Sequence, residues 1–314
     1  MVTKPLITII VPNYNHAAFL QQRLESIFNQ TFQDFEVVLL DDCSTDNSVE
    51  LLKSYANNKQ VSNFIVNKTN SGSPFKQWKK GLDLAKGTFI WIAESDDYCE
   101  LNFLEKIMKF YKENPSLGIV YSQTIDVTES GNEFYHRVKY TQNFKPNIWK
   151  QDFVLNGKQF VANYLSAKNV LPNASAVVFK KELVCDTTFS RSLLTMNMCG
   201  DWFFWIQLSL KTEIGFISTV LNYFRNHQQV SRNHATITLK KRRLLEEKEV
   251  RTYLHQTGFK NKEQEKNLYK RWYCLFSWKS LFKKELYSIK LVKTSSFKLL
   301  TYFSIFKLEK IKRW

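Results

Sequence analysis

The chain has 314 residues, of which 44% are hydrophobic and 15% aromatic, and only nine are glycine, which excludes collagen-like, linker-like and disordered chains. The formal net charge is +16, but residues 240–314 carry 21 Lys and Arg against 7 Glu and therefore hold +14 of it. A near-neutral body with a basic tail favours a catalytic domain with an anchor for an anionic surface, and without an RNA-binding module or glycine-arginine character we expect no nucleic-acid partner.

The first 120 residues alternate between predicted strands and predicted helices. Apolar runs predict strands at residues 6–11, 35–40, 61–66, 88–93 and 119–121. Helical spacing of apolar residues predicts helices at residues 17–29, 44–55, 76–85 and 101–114. Strands and helices that alternate with short connections predict a parallel sheet covered by helices on both faces.

Beyond residue 122 the signals are weaker. Residues 123–160 are predicted to be loops or an edge hairpin, followed by a strand at 175–179, a helix at 201–210 and a strand at 217–224. From Lys240 onward long basic helices are expected. We therefore predict a catalytic domain over residues 1–239 and a basic, aromatic helical extension over residues 240–314.

The extension has an amphipathic pattern. Large apolar residues recur at helical spacing between residues 268 and 289, and lysines and arginines interleave on the other side. The apolar residues are Leu268, Trp272, Leu275, Phe276, Phe282, Leu286 and Ile289, and a second short segment of this kind covers residues 297–311. This pattern predicts helices that lie on an anionic membrane surface. The alternative is that these helices pack on the catalytic domain.

The cysteines and the hydropathy indicate the cellular compartment of the protein. The five cysteines are scattered and contain no CxxC pair, which favours a reducing compartment over a disulfide framework or a zinc site. No apolar stretch is long enough for a membrane span. We expect a cytoplasmic protein that is peripheral on the inner face of the cell membrane.

Polar clusters follow three of the predicted strands, at residues 12–15, at Asp41 and Asp42, and at residues 94–97. Because ligands bind beyond the carboxyl ends of parallel strands, these clusters should share one edge of the sheet. Carboxylates that converge favour a hard cation, Mn²⁺ or Mg²⁺, which would bridge the phosphates of a nucleotide diphosphate. Taken singly, each cluster is also explained by turn and cap chemistry. The chain has no GxGxxG or GxxxxGK[ST] loop, which argues against dinucleotide and P-loop binding.

Three segments carry a family resemblance. Residues 9–46, IIVPNYNHAAFLQQRLESIFNQTFQDFEVVLLDDCSTD, and residues 81–97, GLDLAKGTFIWIAESDD, resemble inverting family 2 glycosyltransferases of the GT-A fold. Residues 200–206, GDWFFWI, are similar to the bacterial spore-coat branch of that family. The resemblance covers about residues 5–230 and implies an α/β, Rossmann-like, mostly parallel sheet flanked by helices. Glu94 stands where the family has the first acid of a DxDD motif, a departure that concerns sugar or loop contacts more than the metal.

By position, the resemblance implies a nucleotide-binding set. Pro12 and Tyr14 would line the pocket for the base and ribose, and Asn15 lies in the same turn. Asp42 would accept a hydrogen bond from the base, typically uracil. Lys76 would face the nucleotide, although an ordinary lysine on a helix face explains it equally well.

The resemblance also implies roles in catalysis. Asp96 would contact the ribose or sugar, and Asp97 would bind Mn²⁺ or Mg²⁺. His227 would complete the metal shell, and either Arg225 or His227 would stabilise the leaving group. Asp201 would be the base that deprotonates the acceptor. Judged alone, Asp201 could instead cap its helix, and His227 could be structural.

Together these features predict an inverting glycosyltransferase. The donor would be a nucleotide sugar, typically a UDP-sugar, and the acceptor a saccharide or a lipid-linked saccharide in bacterial cell-surface polysaccharide or lipopolysaccharide synthesis. The alternatives are a nucleotide-sugar binding protein and a sugar nucleotidyltransferase. The latter normally has a glycine-rich basic loop after the first strand, which residues 12–16 lack.

Overall fold

A mixed sheet forms the centre of the protein in this computed structural model, which describes residues 4–171, 173–227, 236–291 and 294–311. Its strands are β1 (Ile7–Asn13), β2 (Phe35–Asp41), β3 (Val61–Val66), β4 (Phe89–Ile92), β5 (Tyr98–Cys99), β6 (Leu117–Val127), β7 (Glu133–His136), β8 (Phe153–Asn156), β9 (Val177–Lys180) and β10 (Glu213–Arg225). The strand order is β3-β2-β1-β4-β9-β6-β10-β5, with β7 paired to β6 and β8 paired to β10.

Helices flank this sheet and form the C-terminal part. They are α1 (Ala17–Phe28), α2 (Ser48–Tyr55), α3 (Pro74–Leu84), α4 (Phe103–Glu113), α5 (Gly157–Phe160), α6 (Arg191–Thr195), α7 (Gly200–Ser209), α8 (Ile237–Gln256), α9 (Lys262–Tyr273) and α10 (Ser296–Ile311). The predicted α/β architecture of a helix-flanked sheet with C-terminal helices is confirmed. All five strands predicted in the first 120 residues are present.

The sheet has a parallel half and a mixed half. The strands β3, β2, β1 and β4 are parallel to one another, as the sequence predicts. Strand β9 then inserts antiparallel between β4 and β6, and β5 and β8 run antiparallel to β10. A short antiparallel strand carries no crossover helix, so the strand-helix alternation that reveals the parallel half gives no signal for these strands.

Apolar layers cover both faces of the sheet. Along β1, Ile10 lies in the cluster that contains residues of α3, α7 and α8, and Ile9 and Val11 lie in the cluster on the side of α1 and α4. Neighbouring strand residues point to opposite faces, so a strand with both faces covered must be apolar throughout. This explains the continuous apolar runs in the sequence.

The C-terminal helices divide between two cores. Helix α8 begins at Ile237 and contributes Val250 and Leu254 to the core beside the sheet. Helices α9 and α10 form a separate apolar cluster around Trp272 and Phe303. The boundary at residue 240 stays a prediction, but α8 crosses it and packs on the body of the protein.

The predicted helix over residues 268–289 is not continuous. Helix α9 ends at Tyr273, and short 3₁₀ turns follow at Trp278–Ser280 and Lys284–Tyr287. Phe282 is 92% exposed and Leu275 is partly buried, but the other five apolar residues assigned to a membrane face are at most 7% exposed: Leu268, Trp272, Phe276, Leu286 and Ile289. They are buried because α8, α9 and α10 pack on one another. Within the described ranges, no helix is both long and apolar enough to cross a bilayer.

Candidate active site

A cleft of about 690 Å³ opens beyond the carboxyl ends of β1, β2 and β4. Loops after these strands line one side, and the start of α7 and part of α8 line the other. The cleft brings together seven of the residues predicted from the sequence: Pro12, Tyr14, Asp42, Asp96, Asp97, Asp201 and His227. Three predicted residues, Asn15, Lys76 and Arg225, are not among its lining residues.

Asn15 shapes the turn after β1. It has a left-handed backbone conformation with a φ of 55°, which Asn tolerates better than most residues. Its Oδ1 accepts a hydrogen bond from the Thr45 backbone N–H at 2.7 Å, and its own N–H donates to Ser44 Oγ at 2.9 Å. These bonds lock the turns after β1 and β2 together. The geometry therefore gives Asn15 a structural role in place of the predicted nucleotide contact.

Asp42 is held rigidly at the floor of the cleft, where it is 5% exposed. Its Oδ1 accepts hydrogen bonds from Asn67 Nδ2 at 2.7 Å, the Ser71 backbone N–H at 2.9 Å and Gln77 Nε2 at 2.8 Å. Its Oδ2 accepts one from Ser71 Oγ at 2.7 Å. These donors fix the orientation of the carboxylate toward the cleft.

Lys76 supports the same loop from outside the cleft. It is exposed, and its Nζ donates to the Ser71 carbonyl at 2.6 Å. Because it does not line the cleft, the helix-face interpretation fits its position better than a nucleotide contact.

Asp97 joins the acidic loop, residues 94–97, to the turn before β9 and to the end of β10. It is 1% exposed, and its Oδ2 accepts hydrogen bonds from Asn173 Nδ2 at 2.6 Å and Ser175 Oγ at 2.7 Å. Its Oδ1 accepts one from the Arg225 backbone N–H at 3.0 Å. Burial and the neighbouring Asp96 charge raise the pKa of Asp97 to about 7. Both oxygens of Asp97 thus accept hydrogen bonds from the protein itself, and its binding of a metal stays a prediction.

Asp96 instead lies in a cluster with two histidines. The ligand atoms of Asp96, His16 and His227 lie within 4.8 Å of one another, and His227 Nε2 is 3.1 Å from Asp96 Oδ2. Burial would raise the pKa of Asp96, but the hydrogen bond to His227 and the proximity of His16 lower it to about 2. Asp96 is therefore anionic at neutral pH.

This cluster has the chemistry of a divalent metal site. One carboxylate and two imidazoles fit Mn²⁺ better than Mg²⁺, which prefers oxygen ligands and bound water. The sequence identified Asp96 and His227 but missed His16, whose Nδ1 lies 2.8 Å from Ser95 Oγ. The available signal was its position directly after the turn that ends β1.

Arg225 stabilises the acidic loop from below. It is 3% exposed, and its Nε donates to the Asp96 carbonyl at 2.9 Å. Its terminal nitrogens donate to the Glu129 carbonyl at 2.6 Å and to Gln22 Oε1 at 2.5 Å. With its guanidinium group so engaged outside the cleft, Arg225 is unsuited to the predicted contact with a leaving group. The sequence pattern that includes Arg225 and His227 continues through residues 228–231, which lie outside the described residues.

Asp201 lies on the opposite side of the cleft, in the first turn of α7. Its Oδ1 accepts a hydrogen bond from the Trp202 backbone N–H at 2.7 Å, and its Oδ2 accepts one from Asn169 Nδ2 at 2.8 Å. Burial raises the pKa of Asp201 to about 6. The helix begins at Gly200 with Cys199 as its N-cap, so Asp201 does not occupy the capping position.

The start of α7 is placed by contacts from two other helices. A Cβ atom at Gly200 would lie 2.3 Å from the ring of Phe75 in α3, so only glycine allows this approach. Glu246 of α8 accepts hydrogen bonds from the backbone N–H groups of Asn197 at 3.0 Å, Met198 at 2.8 Å and Cys199 at 2.9 Å. Sequence reasoning missed Glu246 because it lies in the basic extension, far from any motif.

Comparisons with known proteins show which family and fold the chain resembles. The profile of Glycosyl transferase family 2 matches residues 8–166, just over half of the chain. The chain is 30% identical over 186 residues to Glycosyltransferase GlyG of Streptococcus pneumoniae, covering 59% of this chain and 60% of that protein. It is 36% identical over 129 residues to chondroitin synthase of Pasteurella multocida, covering 41% of this chain and 13% of that protein.

Solved structures show the same fold. The crystal structure of Staphylococcus aureus TarS 1–349 in complex with UDP-GlcNAc superposes with a TM-score of 0.63. The match covers 98% of this chain and 92% of that chain at 18% sequence identity. The chain thus has the architecture of that protein over nearly its whole length, although it spans 60% or less of the two curated relatives named above.

Proposed function

The chain belongs to glycosyl transferase family 2, and we propose that it transfers a sugar, with inversion, from a UDP-sugar to a saccharide or lipid-linked acceptor. The main support for this proposal is that one cleft has a candidate metal site on one side and a candidate general base on the other. A carboxylate with two imidazoles lies on one side, and a carboxylate with a pKa raised to about 6 lies on the other. Glycosyl transfer needs both, because a diphosphate leaves and a hydroxyl group loses a proton.

The donor would bind on the side of β1, β2 and β4. Pro12 and Tyr14 would enclose the base and ribose, and the rigid carboxylate of Asp42 would accept a hydrogen bond from uracil. TarS 1–349, which has a similar fold, was crystallised in complex with UDP-GlcNAc, and this supports a UDP-sugar as the donor.

The metal site belongs to this side as well. Asp96, His16 and His227 would hold Mn²⁺, with Asp96 in the metal-binding role predicted for Asp97. Mn²⁺, when bound, would neutralise charge on the departing diphosphate. His227 also packs against Phe19, with ring centroids 4.9 Å apart, which helps to fix its imidazole.

The acceptor hydroxyl would meet Asp201 from the other side. Asn169 and the Trp202 backbone N–H hold the carboxylate in place, so proton transfer costs little reorientation. A pKa raised to about 6 makes Asp201 a stronger base than an ordinary aspartate, while it stays mostly ionised at pH 7. Attack from the face opposite the diphosphate inverts the anomeric centre.

The cellular role we propose is synthesis of a bacterial cell-surface polysaccharide or lipopolysaccharide by a cytoplasmic protein that is peripheral on the membrane. TarS, a relative in Staphylococcus aureus, is named as a poly(ribitol-phosphate) β-N-acetylglucosaminyltransferase, which supports a surface-polymer acceptor. Membrane contact would involve aromatic residues of the C-terminal part that remain exposed at the surface. Phe282 is 92% exposed and Phe297 is 79% exposed, and Lys283 and Lys298 beside them are exposed as well.

Calorimetric titration of UDP tests the donor side. With Mn²⁺, Asp96→Asn should bind UDP about 10- to 100-fold more weakly than the wild type, because one metal ligand is lost. The matched variant Asp97→Asn should retain Mn²⁺-dependent UDP binding, because Asp97 lies outside the cluster of Asp96, His16 and His227. Equal UDP affinity of the wild type with Mn²⁺ and with excess chelator would remove the metal from the proposal.

A further inference from the structure

A second cavity, of about 360 Å³, continues the acceptor side of the cleft. The two cavities share four lining residues, Tyr140, Asn169, Trp202 and Arg243. Asn169 is the residue that donates a hydrogen bond to Asp201. The second cavity, which we call the basic groove, therefore begins at the proposed base and runs away from the donor side between α8, α9 and residues 167–169.

The basic groove has a strong excess of positive charge. Five cationic side chains and one carboxylate line it: Lys168, Arg243, Arg251, Lys270, Arg271 and Glu247. Glu247 is 2% exposed and accepts hydrogen bonds from Arg251 at 2.7 Å, Arg271 at 2.6 Å and Arg243 at 3.0 Å. Glu247 therefore carries one negative charge against the three guanidinium groups that it binds, and the cations of the lining outnumber its carboxylates.

The cationic side chains differ in how far they are exposed to a ligand in the groove. Arg251 is 3% exposed and also donates to the Ser166 carbonyl at 3.2 Å, so it serves the structure. The side chain of Arg271 is 48% exposed, and that of Arg243 is 28% exposed. Glu247 holds both guanidinium groups in position and leaves part of each open to the groove. Fixed, partly dehydrated guanidinium groups bind phosphate and carboxylate groups well.

Resting on the function proposed above, we infer that the acceptor is an anionic polymer, with a phosphodiester or carboxylate group that binds in the basic groove while a neighbouring hydroxyl reaches Asp201. The groove adjoins the base directly, so an acceptor that is bound at Asp201 can extend along these cations. The amide groups of Gln264 and Asn267 in the lining would bind the hydroxyl groups between the charges. A neutral acceptor would make no use of the guanidinium groups that are open to the groove.

Binding of short oligomers to the full-length protein tests this inference. The protein is first saturated with UDP and Mn²⁺, so that anionic probes cannot occupy the donor side. Titrations then compare a glycerol-phosphate oligomer, an oligogalacturonate and the neutral maltohexaose. At least one anionic oligomer should bind about tenfold or more tightly than maltohexaose, and added salt should weaken its binding. The two anionic probes separate a phosphodiester acceptor from a uronate acceptor.

A pair of double variants locates the site. Lys270→Gln with Arg271→Gln should weaken binding of the anionic oligomer about tenfold, because two groove cations are lost. Lys283→Gln with Lys284→Gln removes the same charge from exposed positions outside the groove and should leave binding unchanged. The inference is overturned if neither anionic oligomer binds better than maltohexaose, or if both double variants weaken binding equally. Failure of the UDP titration itself would instead count against the proposed function.

Discussion

The two sides of the cleft are built in different ways. On the donor side, Pro12, Asp42 and Asp96 follow three neighbouring parallel strands, whose carboxyl ends lie at one edge of the sheet. On the acceptor side, Asp201 depends on Asn169, on Phe75 through Gly200, and on Glu246 of the C-terminal part. The donor side is formed by the edge of the sheet, and the acceptor side is formed by the packing of separate helices.

This difference suggests how the two specificities are encoded. A sheet edge with fixed loops can keep one kind of donor while the rest of the chain changes. A wall assembled from α7, α8 and α9 can take a new acceptor when these helices change, with the strands left intact. The predictions below aim to separate the two sides by experiment.

The largest expected effect comes from Asp201→Asn. Loss of the base should lower the rate of transfer by about 10²- to 10⁴-fold, while UDP affinity stays unchanged because the donor side is intact. Burial raises the pKa of Asp201, so its ionised form opposes folding at neutral pH, and the variant should melt at no lower temperature than the wild type. Transfer rates, UDP titration and thermal unfolding check these outcomes. Near-normal transfer would make Asp201 structural.

The pH dependence of transfer should reflect the same group. Since Asp201 must be ionised to accept a proton and its pKa is raised to about 6, kcat/KM should fall about tenfold between pH 7 and pH 5. A profile of kcat/KM from pH 5 to 8 measures this. The residual activity of Asp201→Asn should lack the acidic limb, and an identical limb in that variant would assign it to another group.

A smaller effect is expected from Glu246→Gln, which tests whether the C-terminal part positions the acceptor side. The amide would oppose one of the backbone N–H groups that Glu246 now accepts from, at a cost of about 1–3 kcal/mol. We expect a lower melting temperature and a several-fold lower transfer rate, with UDP affinity retained. Glu249→Gln, at a position 43% exposed on the same helix, is the matched control and should change none of these values.

The smallest effect concerns the membrane. Phe282→Ser with Phe297→Ser should weaken binding to vesicles rich in anionic lipid several-fold, because two exposed aromatic anchors are lost. Phe134→Ser, at a position 51% exposed on β7, is the control and should bind as the wild type does. Cosedimentation with vesicles measures both. If the wild type ignores anionic vesicles at low salt, the peripheral-membrane proposal fails.

The contrast between the two sides also explains what the sequence could predict. Apolar runs and local motifs made three features predictable from the sequence: the strands of the parallel half, the polar clusters at their ends, and Asp201. The different roles that we propose for Asp96 and Asp97 could not be predicted, since they depend on Asn173 and Ser175, which are distant in sequence.

The contacts of the C-terminal helices also could not be predicted from the sequence. Their amphipathic pattern was correct, but a pattern alone does not distinguish burial against a membrane from burial against other helices. Trp272 is fully buried against neighbouring elements, and its Nε1 donates to the Leu286 carbonyl at 2.9 Å. Only the three-dimensional packing reveals that partner.

Time-resolved proton NMR of donor hydrolysis tests the central claim most directly. The full-length protein would be mixed with Mn²⁺ and each of a panel of UDP-α-sugars, and the anomeric configuration of the first sugar released would be recorded before mutarotation. We predict that at least one donor is hydrolysed to the β-anomer and that Asp96→Asn abolishes this reaction. Release of the α-anomer would contradict inversion, and hydrolysis that is unchanged in Asp96→Asn would contradict the donor side described here.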